Sequence, residues 1–122
     1  MPSPIVFFDI AGPDLEAQRR FYDRVFGLAS TEFGQVSAPV AGPMLAGTLR
    51  QDPAEKMIYF GVDDVTATLD LIVESGGGIV APRFEVPGVV VLGLFTDPAG
   101  NRLGLVELEN GVAKIPVGAS AV

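Results

Sequence analysis

A strand followed by a capped helix occurs twice in this chain, and that repeat limits what it can fold into more than any other feature. Ile5-Val6-Phe7-Phe8-Asp9-Ile10 is β-branched and aromatic and stops at Ala11-Gly12-Pro13, which predicts a strand entering a turn. Asp14 then caps a helix whose apolar residues Leu15, Phe21, Tyr22, Val25 and Phe26 lie mostly along one stripe, and Gly27 stops it. The same order returns at Met57-Ile58-Tyr59-Phe60-Gly61-Val62. There Asp63-Asp64 precedes an apolar stripe at Val65, Leu69, Ile72 and Val73, and Gly76-Gly77-Gly78 ends it. Asp14 and Asp64 lie 50 residues apart (64 − 14), as do Gly27 and Gly77 (77 − 27). Two copies of one supersecondary unit account for this.

Strands are expected around Ser30–Val36 and Met44–Arg50, parted by Pro39 and Gly42-Pro43, and then a polar break spans Gln51–Lys56. In the second copy they fall near Ile79–Ala81, Val89–Thr96 and Arg102–Glu107, with Asp97-Pro98-Ala99-Gly100 as the last turn. The pattern is β-α-β-β-β twice, as modules at about 4–50 and 57–108 of a single domain, 1–109. Residues 110–122 read as a loosely held tail.

The counts then remove whole classes of chemistry. With no Cys there is no disulfide, thiolate nucleophile or zinc–thiolate site, and with no His there is no imidazole base or ligand. Eight Lys+Arg against fifteen Asp+Glu give a net charge of −7, which repels phosphate backbones and anionic lipid, so neither nucleic acid nor membrane is an expected partner. The longest near-apolar run, Val86 to Phe95, is far short of the ~20 residues that span a bilayer, and a soluble cytoplasmic protein is expected. The acidic pairs Asp63-Asp64 and Asp52 with Glu55 lack the alternating oxygen pattern of a calcium loop, and Asp63-Asp64 reads as helix capping. The glycine triplet follows a helix, whereas a phosphate loop precedes one.

Period-two alternation puts Phe8, Ile10, Ile58, Phe60 and Val62 on the face that meets the helices. Phe7, Asp9, Met57, Tyr59 and Gly61 fall on the opposite face, which is too apolar to stand in water uncovered. That cover is the other module, a second chain or a ligand.

The repeat, the stretch Phe21-Tyr22-Asp23-Arg24-Val25-Phe26-Gly27 and the stretch Thr96-Asp97-Pro98-Ala99-Gly100-Asn101 resemble the vicinal oxygen chelate superfamily, which includes glyoxalase I, bleomycin-resistance proteins and extradiol dioxygenases. The resemblance covers about residues 4 to 109. It implies an α+β fold of tandem βαβββ modules forming a cup-shaped mixed sheet around a cavity, commonly in a homodimer. Metal enzymes of that superfamily place His, Gln or Glu ligands on the cup side of four strands. Carried over to this chain, those positions fall on Phe7, Met57 and Gly104, with the fourth near Ala46, and none offers a side-chain nitrogen or oxygen.

The expectation is therefore a metal-free, cofactor-free member that binds a small apolar or aromatic molecule. Phe7, Met57 and Tyr59 would be its stacking and apolar walls, Arg50 or Arg102 its polar anchor, and Gly104 a further ligand-binding position. Alternative readings are a metal-independent lyase or isomerase using Asp9 or Tyr59 as acid or base, and a structural or regulatory dimer whose cup is packed solid.

Overall fold

The computed structural model describes residues 3–40 and 42–117. They divide into two compact units, one of residues 6–58 and one of residues 59–117 with 3–5.

The first unit opens with β1 (Ile5–Gly12) and α1 (Leu15–Phe26), followed by β2 (Gln35–Val40) and β3 (Gly42–Gln51). β1 pairs with β3 in parallel, placing Phe7 beside Ala46 and Asp9 beside Thr48, while β2 lies antiparallel on the other side of β3. Asp14 caps α1 through its carboxylate, which accepts the Ala17 N–H, and Gly27 closes it at φ 67°. The strand expected at Ser30–Val36 starts later, at Gln35. Thr31 Oγ1 accepts the N–H groups of Phe33 and Gln35, and Gly34 sits at φ 84°, a local turn that competes with the ladder. Pro39 lies inside β2 instead of between strands, tolerated because β2 is an edge strand whose register shifts there. Among the described residues this copy is thus β-α-β-β, one strand short of the expected pattern.

The second unit is built from β4 (Glu55–Val62, of which Tyr59–Val62 lie in this unit), α2 (Val65–Glu74), β5 (Gly78–Val86), β6 (Val90–Thr96) and β7 (Arg102–Glu109). β4 and β7 are parallel, and β6 runs antiparallel to both β7 and β5. Val62, Val65, Leu69, Phe95 and Leu105 form its core, joined by Phe60, Ile72 and Leu103. Gly93 lets α2 approach, since a Cβ there would stand 2.6 Å from Val65 Cγ1. α2 ends at Ser75 instead of Gly77, and Gly76 takes the left-handed conformation at φ 98°. The 50-residue offset therefore holds at the helix starts and not at their ends.

The segment expected as a loose tail folds back in part. Val112–Ala113 form β8 against β7, the Lys114 N–H donates to the Glu107 carbonyl, and the Gly88 N–H donates to the Pro116 carbonyl. Residues 118–122 of that expectation lie outside the described residues.

Candidate functional site

In the first unit Gly47 faces Phe8, whose ring lies so close that a Cβ on Gly47 would meet it at 2.1 Å. On the alternate side chains of β1 and β3 sits a polar cluster. Asp9 is only 4% exposed; Thr48 donates to its Oδ1 at 2.9 Å and Arg50 Nε to its Oδ2 at 2.8 Å. Arg50 also reaches Asp52 at 2.6 Å and Glu55 at 3.1 Å, so each guanidinium nitrogen meets a carboxylate. Burial pulls the Arg50 guanidinium down, but the hydrogen bonds to Asp52 and Asp9 and the charges of Asp9 and Glu55 outweigh it, and its pKa is raised. Both sequence-selected residues, Asp9 and Arg50, are thus spent on each other across strands 41 residues apart in sequence.

Phe7 is half-buried opposite Ala46, and Met57 is buried. In the second unit the Tyr59 ring covers Gly104, its direct partner across β4 and β7, and a Cβ on Gly104 would meet that ring at 2.3 Å. Gly104 thus lies directly beneath the Tyr59 ring. Arg102 is exposed, and its side chain makes no hydrogen bond or ion pair among the described residues.

Sequence reasoning passed over the other buried carboxylate, Glu107. It accepts two hydrogen bonds from Arg83, at 3.0 and 2.9 Å, and the Val65 N–H at the start of α2, at 3.0 Å, with Lys114 at 3.6 Å. Hydrogen bonding to Arg83 outweighs burial and, helped by the Val65 N–H, holds the Glu107 carboxyl down at about 2. A legible signal existed: Glu107 breaks the apolar alternation of Leu103 and Leu105 on the helix-facing side of β7. The first unit has the same device, since Gln51 accepts the Leu15 N–H at 3.4 Å at the start of α1. Gln51 pairs with Gly12 and Glu107 with Val62, equivalent places 50 residues apart on β1 and β4 (62 − 12).

The family's metal can be tested against these positions. Ala46 and Phe7 are side by side, Met57 offers a thioether, and Gly104 offers nothing beyond backbone under a tyrosine ring. A hard or borderline cation wants imidazole or carboxylate there, so the donor set does not fit it. Among the described residues no three acidic side chains converge into a group able to hold an ion.

The sequence profile of the Glyoxalase/Bleomycin resistance protein/Dioxygenase superfamily matches residues 5–105, and the chain belongs to that family. It is 30% identical over 112 residues to the protein named "Putative glyoxylase CFP32" of Mycobacterium tuberculosis, covering 80% of this chain and 42% of that one. It is 25% identical over 123 residues to the anthracycline biosynthesis protein DnrV of Streptomyces peucetius, covering 81% and 45%. The chain thus spans less than half the length of these curated relatives. Methylmalonyl-CoA epimerase of Streptomyces coelicolor superposes with a TM-score of 0.66 at 19% identity, covering 93% of this chain and all of the other, a likeness of fold. No described helix is long and apolar enough to cross a membrane.

Proposed function

We propose that this chain is a metal-independent binding member of the glyoxalase/bleomycin-resistance family, taking up a small, flat apolar or aromatic molecule without transforming it. The observation that carries the reading is the composition of the four positions where metal enzymes of the family keep ligands: Phe7, Ala46, Met57 and Gly104. Such a set replaces polar donors with surface suited to stacking and van der Waals contact. In the first unit Phe7 supplies a ring face and Met57 an adaptable wall; in the second Tyr59 supplies a ring face and Gly104 the space that lets that ring lie flat. Arg102 is the better placed of the two expected anchors, because Arg50 would have to surrender a carboxylate to meet a ligand. The similarity to an anthracycline biosynthesis protein supports planar polycyclic compounds as the first class to try. A chain without cysteine gains nothing from an oxidising compartment, in keeping with a cytoplasmic setting.

Asp9 as a catalytic base is less well supported, since both carboxylate oxygens already accept hydrogen bonds. Thermal unfolding against a panel of planar aromatic compounds, anthracyclines among them, tests the proposal. A binder at a hundred times its Kd should stabilise by about 2.7 kcal/mol and raise the melting temperature by several degrees. Tyr59→Ala should remove the shift. A panel with no hit contradicts the reading, and turnover of a bound compound that Asp9→Asn abolishes would favour the enzyme.

A further inference from the structure

We propose that the small molecule of the preceding reading is an anion, a flat aromatic carboxylate or phenolate that lies across the sheet of the second unit and is held at one long edge by Arg102. The inference rests on that reading and adds the charge of the ligand and the wall it lies on. A Cβ on Gly93 would meet Val65, and Phe95 belongs to the helix-side core, so Leu92, Leu94 and Thr96 turn to the opposite face. Tyr59 and Gly104 share that face, and Gly61 follows Tyr59 there by alternation. Register joins them into one row: Tyr59 is paired with Gly104, Gly104 with Leu94 and Leu94 with Ala81. Three strand spacings make such a row about 14 Å long. A second row, Gly61, Val106, Leu92 and Phe84, runs beside it. Along β6 the helix side, Val91, Gly93 and Phe95, is buried, whereas Leu92 and Leu94 are only half-buried.

The next row, toward the turn at Asp97-Pro98-Ala99-Gly100, is polar. Arg102 is paired with Thr96 and stands two residues from Gly104 on β7, roughly 7 Å along the same face. Of the cations in this unit, Arg83 and Lys114 both lie against Glu107, while the Arg102 side chain meets no acid among the described residues. The acid at the turn is otherwise engaged: the Asp97 carboxylate accepts the N–H groups of Ala99 and Asn101 and the Asn101 side-chain amide. The Thr96 hydroxyl is a second donor in the row, likewise without a hydrogen bond among the described residues. An apolar shelf bounded on one long side by a guanidinium and a hydroxyl selects a flat ring system with an acceptor on its edge. The unshared charge of Arg102 makes a negative acceptor the better one, and its planar fork matches a carboxylate. An amino-substituted ring would meet repulsion at the same place.

Fluorescence titration of the full chain with three anthracenes tests the proposal, the central ring carrying a carboxylate, a hydroxymethyl or an aminomethyl group. The carboxylate should bind about fivefold tighter than the alcohol and the ammonium weakest, with the gap narrowing as salt rises. Arg102→Gln should erase that order, and Arg102→Lys should keep part of it, because the charge survives where the fork is lost. Leu94→Trp should weaken all three by about tenfold by filling the row. Circular dichroism checks that this variant folds, and the exposed Arg102 variants decide the matter if it does not. Three equal affinities, or an order that survives Arg102→Gln, would overturn the charge assignment and leave the binding reading standing. No binding by any of the three would overturn both.

Discussion

The two helices begin alike and end up differently placed. α1 and α2 both start at an aspartate whose carboxylate accepts the third helical N–H, and both have a strand-end side chain accepting the first, Gln51 or Glu107. Yet α2 buries Val65 and Leu69 in its own unit, while none of the residues of α1 is buried, although α1 carries two phenylalanines, a tyrosine and a valine. The difference teaches that an amphipathic stripe specifies a need for cover without specifying what provides it. α2 finds it in Phe95 and Leu105, and Gly93 is bare so that the helix can settle. α1 leaves Phe21, Val25 and Phe26 at least half exposed, side chains that would each contribute roughly 1.5–3 kcal/mol if fully covered.

The largest effect expected from this contrast is at Leu69, which is 2% exposed. Leu69→Ala should cost about 2–5 kcal/mol in chemical denaturation through the cavity it leaves, whereas Phe26→Ala should cost the isolated chain well under 1 kcal/mol. Equal losses would show that α1 is packed as tightly as α2.

A somewhat smaller effect separates the two strand-end caps. Glu107 falls from 4.5 to about 2 on folding, so the folded state favours its charged form. Its contribution of about 3 kcal/mol is fully present above the unfolded value and is lost as pH drops from about 4.5 toward 2. Gln51, uncharged, contributes no such dependence. Glu107→Gln should therefore lower stability at neutral pH and flatten its fall in acid, and an unchanged acid limb would contradict the assignment.

Much of the fold was legible. The aspartate caps, the Gly27 stop and the apolar stripes located both helices, and period-two alternation assigned Phe60 and Val62 to the helix side. The strand expected at Ser30–Val36 was misplaced because Thr31 and Gly34 build a turn through side-chain hydrogen bonds and a positive φ that hydrophobic pattern does not report. Asp9 and Arg50 were singled out, but their union was not. It depends on the parallel register of β1 and β3, which sets Asp9 beside Thr48 and Ala11 beside Arg50. Glu107 was hidden for a similar reason: its guanidinium partner comes from Arg83, 24 residues away and two strands across the sheet.

The central claim is that the places reserved for metal ligands in this family have been given over to apolar surface. Elemental analysis of the protein, dialysed after exposure to zinc, nickel and iron, measures it directly. The account predicts no stoichiometric metal, and one tightly held transition ion per chain would contradict it.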